Sequence, residues 1–424
     1  MAKTIQIDHV AKIEGHAELS IKIENGKLKQ SRFKVIEGAR FFEQIIVGRN
    51  YDEVPYMTSR ICGVCSPIHV VTSCMAVENA FNVKITKQSK LLRELLVHGG
   101  NIQSHAMHLY FLALPDYLGF ESAIPMMSKY KKEINNALLL KRLGNKIIQV
   151  IGGREVHPIT CIPGGFAKTP DQNKLKEILI ELKAAKKVVK ATAKLFQSLK
   201  YPDFEMNTEY FALEGKNNYP SFGSKVASHK KDNFSTKSYE EHIAEYLSPG
   251  EPTKFAVSKG EGYFVGALAR LNINHKLLSK DAQKAIKIKL PNNSIFMNNV
   301  AQAIELIDAV DRCITIIGNL KLKEEKSVEI KTFATRGIAI TEAPRGLLIH
   351  DYKFNKDGKL LKANVITPTS QNLRNINDEI KAFLPSILSK PKKEITVDIE
   401  KLIRSYDPCI SCSAQFLIVN WEGE

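Results

Sequence analysis

Tryptophan occurs once in this sequence, at position 421, and cysteine only seven times in 424 residues. An odd cysteine count in a chain this long argues against a disulfide framework. No apolar run approaches the ~20 residues that cross a bilayer, and the mean hydropathy is -0.18. The opening MAKTIQIDHVAKIEGH lacks an apolar stretch of signal-peptide length, so a mature, cytoplasmic protein with no direct membrane span is expected. Internal repeats and low-complexity segments are also missing, which excludes a repeat array. Acidic side chains are the minority: 45 Asp and Glu face 61 Lys and Arg, a net charge of +16. A basic balance can serve nucleic acid, yet the lysines are spread along the chain and no nucleic-acid motif accompanies them. The densest stretch, Lys183 to Lys194, has helical spacing and reads as a solvated helix face. No nucleic-acid partner is expected.

What is present is core material, with 44% hydrophobic residues. Residues 17–37 alternate apolar and polar around Asn25-Gly26, a hairpin signal. From Gly38, the stretch ARFFEQIIVGRNYDEV reads as a helix. Residues 88–115 have helical spacing and little polar relief, as in a core helix, and 172–200 are amphipathic. The loop-rich region 202–260 could be a linker, although no composition shift follows it. A long helical pattern covers 294–322, and strand-like alternation returns over 327–366 with a turn at Asn355-Lys356-Asp357-Gly358. Two short helical patterns close the chain. The fold class expected is α+β, mostly α, with peripheral sheets.

Four cysteines form two pairs, Cys62-Gly63-Val64-Cys65 and Cys409-Ile410-Ser411-Cys412. Two intervening residues turn both sulfurs to one side, and four thiolates suit zinc, nickel or iron. Arg60 and His69 could favour the thiolate forms. A structural zinc site remains open on spacing alone, but zinc modules usually close over ~12–20 residues, whereas these pairs stand at opposite ends of the chain. Cys74, Cys161 and Cys313 lie singly in apolar surroundings and read as buried core residues.

Arg60-Ile61-Cys62-Gly63-Val64-Cys65 with His69, and Asp407-Pro408-Cys409-Ile410-Ser411-Cys412, resemble the signature pair of nickel–iron hydrogenase large subunits. Further elements follow in the family's order: Ala11-Lys12-Ile13-Glu14-Gly15-His16, Phe42-Glu43-Gln44, His157-Pro158 with Gly164-Gly165, Glu342-Ala343-Pro344-Arg345-Gly346 and Pro368-Thr369-Ser370-Gln371-Asn372. The resemblance covers the whole chain. It implies the large-subunit fold, with a central helical core, as one catalytic domain over 1–424.

It also implies roles. Cys62 and Cys409 would be terminal nickel ligands; Cys65 and Cys412 would bridge nickel to an iron carrying cyanide and carbon monoxide. His69 would donate to a bridging sulfur. Arg345 would sit over the cluster and stabilise the transition state, with Asp407 neutralising it. Thr369 would hydrogen-bond a cyanide. Glu14 would relay protons from Cys409. Glu43 would be an outer ligand of magnesium. Without the motif these residues would read as core, turn or surface groups.

Two residues, Gln415 and Lys12, depart from the family pattern, and the stretch after Gln415 has two readings. Gln415 stands where histidine or arginine is usual, leaving the magnesium-type site open to an amide, another cation or water. The stretch Phe416 to Glu424 fits either a tail removed by a maturation protease after Gln415 or a buried terminal strand. Lys12 replaces an arginine and loses its bidentate geometry.

The implied activity is reversible oxidation of dihydrogen to protons and electrons. Too few cysteines remain for clusters of this chain's own, so an obligate iron–sulfur small subunit is expected, with flavin and iron–sulfur electron-transfer subunits beyond it and a soluble acceptor such as NAD(P). Local wording such as Gly38-Ala39-Arg40-Phe41-Phe42-Glu43 resembles nicotinamide-linked and sulfhydrogenase alpha subunits. A viologen-reducing, heterodisulfide-reductase-linked enzyme is the close alternative; a quinone-site subunit without the metal centre and a zinc-stapled scaffold are distant ones.

Overall fold

The computed structural model describes residues 2–24 and 27–414. The strands Ala17–Glu24 and Lys27–Val35 pair antiparallel, and Ala2–Ile7 adds a third on the outer side. Alternation places Ala17, Leu19, Ile21 and Ile23 on the buried face. Asn25 and Gly26, the expected turn, lie outside the described residues.

Long helices form the interior. Lys87–Met107 begins where the Thr86 hydroxyl accepts the Ser89 N–H, and packs against Lys131–Gly152. The second of these had no sequence expectation of its own. Gly144 lets the pair approach closely, since a Cβ there would come within 2.6 Å of Gly99 O. Gln172–Ser198 packs on Asn298–Asn319, with Lys183, Lys187, Lys190 and Lys194 exposed as expected. Lys87–Met107 runs on through a π-helical turn, His108–Ala113. Among the described residues no helix is long and apolar enough to cross a membrane.

Two expectations need correction. The stretch after Gly38 is not one helix: only Phe42–Ile45 is helical before the chain turns. Gly48, at φ +83, breaks the pattern, and its N–H donates to Leu360 O, tying the segment to a strand instead. The region 202–260 is not a linker. It folds into short strands whose Phe211, Leu213, Val226 and Phe234 form an apolar cluster with Tyr263, Ile340, Leu347 and Ile349.

The strands Thr335–Ala343, Gly346–Phe354 and Leu360–Ile366 form an antiparallel sheet, with the expected turn at 355–358. Ala343 pairs with Gly346, leaving Pro344 and Arg345 as the tip of a two-residue hairpin. Pro368–Ile387 and Lys392–Ser405 are full helices rather than short ones. Cys74, Cys161 and Cys313 are buried, as expected.

The helix Ser66–Ala80 lies on this sheet, buried at nearly every position. Gly337 sets how close it lies: a Cβ there would come within 2.2 Å of Ala76 O and 2.4 Å of Ala80 N, both backbone atoms that cannot step aside. Gly337→Ala should therefore cost roughly 1–3 kcal/mol by overpacking and lower the melting temperature. An unchanged melting curve would show that the helix can shift freely on the sheet.

Candidate metal centre

Cys62 stands extended at the end of the single turn Ser59–Ile61, and Cys65 precedes the helix Ser66–Ala80. The Cys65 N–H donates to Cys62 Sγ at 3.2 Å, and the Cys65 carbonyl accepts the N–H groups of Ile68 and His69. Cys409 opens the short helix Ile410–Ser413, which carries Cys412. All four sulfurs lie within 4.8 Å of one another, and all four residues are buried. Cys62 and Cys409 sulfurs are 3.5 Å apart, those of Cys409 and Cys412 2.8 Å. Both distances are shorter than the ~3.8 Å edge of a tetrahedron with ~2.3 Å metal–sulfur bonds, and the 4.8 Å limit on all four exceeds it. Hydrogen bonds from Cys409 and Cys412 hold Cys62 low and Cys65 well below the usual thiol range, whereas burial pushes Cys409 and Cys412 well up.

The loops are locked together by side chains from elsewhere in the chain. Arg40 Nη2 donates to Ile61 O at 2.6 Å and also to Ser411 O, so one guanidinium spans both cysteine loops. Glu14 pairs with Cys409 as an isolated parallel bridge, and its carbonyl accepts the Ile410 N–H at 2.9 Å. Its Oε2 accepts from Ser411 N at 3.0 Å and lies 3.2 Å from Cys409 Sγ. The Thr369 hydroxyl accepts the Cys409 N–H at 2.9 Å.

The hairpin tip delivers Arg345. Its Nη1 donates to Cys65 Sγ at 3.2 Å and its Nε to Asp407 O at 2.6 Å. Nη2 lies 2.9 Å from Asp407 Oδ1, an ion pair without hydrogen-bond alignment, so both atoms are buried with no hydrogen-bond partner. The other Asp407 oxygen accepts from Gln302 Nε2 at 3.1 Å. Behind the tip, buried Arg270 donates to Ala343 O and Pro344 O while pairing with Glu305 and Glu342. Asp116 takes both Arg404 and Lys12, and Arg404 Nε donates to Ala11 O, fixing the loop that carries Glu14. Lys12 thus keeps an ion pair without arginine's fork.

His69 is buried, and burial lowers its pKa to about 4, so it is neutral near pH 7. Its Nδ1 lies 3.1 Å from His350 Nε2, and His350 Nδ1 meets the Tyr352 hydroxyl. The hydrogen bond seen is therefore to histidine; Cys62 acts on His69 through charge. Glu43 stands apart from the cysteines. Lys254 Nζ meets its carboxylate at 3.1 and 3.3 Å, and the Val365 N–H donates to Oε1 at 2.7 Å. Burial raises its pKa to about 6. Both oxygens face donors, and the structure shows Glu43 as one half of a buried ion pair. Gln415, the other expected ligand, lies outside the described residues.

Both cysteine loops fall within residues 40–138 and 294–415, which match nickel-dependent hydrogenases; residues 4–37 match a HoxL-like pattern. The chain belongs to the nickel-dependent hydrogenase family. It is 34% identical to the alpha subunit of sulfhydrogenase 1 of Pyrococcus furiosus, over 96% of this chain and 97% of that one. It is 31% identical to a subunit of the F420-non-reducing hydrogenase vhu of Methanocaldococcus jannaschii, over 89% and 97%. In fold it matches the structure of an NAD+-reducing [NiFe]-hydrogenase in the H2-reduced state, with TM-score 0.89 at 24% identity, covering 97% of this chain and 99% of that one. The chain is a catalytic nickel–iron subunit of this family, and the buried thiols and the spare Arg345 N–H fit a centre that presents acceptors to it.

Arg40, Asp116, Gln302, Arg404, Arg270 and His350 carry the site without having been singled out from sequence. Arg40 sat inside a stretch that resembled the family, but nothing in its spacing announced a partner hundreds of positions away. Cys409→Ser should give a folded protein that retains no nickel on elemental analysis. Nickel at the native level would show that Cys409 is not a ligand.

Proposed function

We propose that the chain cleaves dihydrogen reversibly as the large subunit of a cytoplasmic, multi-subunit hydrogenase, passing electrons through an iron–sulfur small subunit to a nicotinamide acceptor. The observation that carries the proposal is the contact of Glu14 with Cys409 inside the four-cysteine cluster. When bound, a nickel–iron pair with cyanide and carbon monoxide on iron supplies heterolytic cleavage of dihydrogen at neutral pH.

The protein's part is to hold the ligands, keep water out and move the proton. Cys62, Cys65, Cys409 and Cys412 would hold the nickel–iron pair through their four clustered sulfurs. The Cys409 sulfur takes the proton, and Glu14 Oε2, 3.2 Å away, accepts it next. The Ser411 N–H holds that oxygen in place, which meets the reach required of a relay. Arg345 sets a fixed positive charge against the cluster in a water-excluded site, where such charges act strongly. Asp407 balances that charge and orients the fork. Thr369 fixes the Cys409 backbone and has a hydroxyl hydrogen left for a cyanide. His69, neutral, has a second ring nitrogen left for a bridging sulfur.

Electrons need an exit near the cysteines. Exposed Tyr56, Val156 and Ile159 gather beside the first cysteine loop, with Arg60 stacked 3.7 Å over the Tyr56 ring and His157 Nδ1 donating to Ser59 O. An apolar patch with aromatic and arginine members suits a protein partner, and we assign it to the small subunit. The F420-non-reducing relative from Methanocaldococcus jannaschii, at 31% identity, supports the second reading, a viologen-reducing enzyme coupled to heterodisulfide reductase. Reduction of NAD(P)+ by the purified complex under dihydrogen separates the two. The stretch 416–424, removed after Gln415 in our proposal, lies outside the described residues.

Glu14→Gln should lower exchange between dihydrogen and heavy water by roughly 10²–10⁴-fold, with nickel and iron contents unchanged. Exchange at the native rate would remove Glu14 from the proton path.

A further inference from the structure

Lys254 opens the strand Lys254–Val257, which pairs antiparallel with Ala244–Leu247. Ala256 stands opposite Glu245, so Lys254 and Glu245 share a face as diagonal neighbours, within reach of long side chains. The ammonium meets oxygens from three directions: the Glu43 carboxylate at 3.1 and 3.3 Å, Asn364 Oδ1 at 2.6 Å and Glu245 Oε1 at 3.3 Å. The Asn364 amide cannot turn without loss, because its Nδ2 donates to Glu245 Oε2 at 2.7 Å. Hard oxygens of this kind are what a magnesium or calcium ion would choose. The cation they surround is instead part of the chain.

We infer that the Lys254 ammonium is the resident cation beside Glu43, supplying the positive charge expected of magnesium, so that this subunit binds no divalent ion there. A magnesium ion needs oxygens at ~2.0–2.1 Å in octahedral array. At Glu43 both oxygens face the ammonium, and Oε1 also accepts the Val365 N–H. A dication among them would also face the ammonium at close range, charge against like charge. Neither partner is expendable: Glu43 is 5% exposed, and a buried carboxylate without a counter-charge is strongly destabilising. The ~6 pKa that burial gives Glu43 shows the same need.

The test uses the complex of large and small subunits, purified with and without EDTA, and reads metal content and melting together. Native complex should contain nickel and iron but only substoichiometric magnesium, and neither EDTA nor MgCl2 should move its melting temperature. Lys254→Met keeps most of the stem and removes the charge; its melting temperature should fall by several degrees, and MgCl2 should raise it again. One tightly held magnesium per native chain would overturn the inference. So would a variant that melts like the native protein, or one whose melting MgCl2 does not move. Nickel and iron in the same sample keep these outcomes separate from a failure of the hydrogenase assignment.

Discussion

The constraint on which the molecule depends is the meeting of its two ends at four sulfurs. Cys62 and Cys65 come from the first sixth of the chain, Cys409 and Cys412 from its last residues, and their sulfurs share a volume less than 5 Å across. Closing so long a loop is costly in entropy, though the cost grows only slowly with length. What offsets it is a set of buried polar contacts joining the same two segments. Arg40 grips a carbonyl in each cysteine loop, Glu14 bonds to three consecutive residues of the second, and Arg404 holds Ala11. The metal centre and the tertiary closure are thus one structural event. Thiols that burial keeps protonated give up their protons when a soft cation arrives, so metal loading and closure are coupled.

Around the sulfurs lies a shell of buried charge that is nearly all paired. Arg270 is neutralised by Glu305 and Glu342, Arg93 by Glu78, Arg404 by Asp116 and Glu400. Isolated buried charges would be prohibitive, and pairs with full hydrogen bonding are tolerated mainly where geometry is demanded. Each pair here fixes a loop rather than a core layer. Arg270 holds the two carbonyls before Arg345, and Arg404 holds the chain before Glu14. The backbone shows the same demand: Lys12 and Asp407, neither of them glycine, sit at φ +58 and +51. Strain of this kind persists only where the surroundings over-determine it.

What the sequence showed follows from range. The amino-terminal strands, the helices Lys87–Met107, Gln172–Ser198 and Asn298–Asn319 and the last sheet rest on periodicity, which neighbouring residues carry, and they appear where read, although that sheet begins at Thr335 and Lys131–Gly152 was not read. The segment after Gly38 misled because Phe42–Ile45 is apolar at helical spacing, while Gly48 and a strand from residue 360 decide its course. The four cysteines were legible because paired thiols are rare and their spacing is local. Glu14, Arg345 and Thr369 were legible only through family likeness; each lies within contact distance of a cysteine. Glu43 was legible as a residue but not as a partner, since Lys254 lies 211 positions away in a region without periodic signal.

The unpaired atoms at the centre complete the physical picture. Among the described residues, Arg345 is fixed by two hydrogen bonds and an ion pair yet keeps a buried Nη2 without an acceptor, and Asp407 keeps a buried Oδ1 without a donor. A buried polar group left unsatisfied costs about 1–3 kcal/mol, and the 2.9 Å ion pair between these two atoms offsets part of that cost. A further acceptor beside the cysteines would complete the guanidinium's coordination. That draws a line between the two cations near the expected metal sites. Lys254 is surrounded by oxygens, whereas Arg345 is held short of saturation and faces the sulfurs. The same chain thus replaces one metal by a side chain and reserves a donor for another.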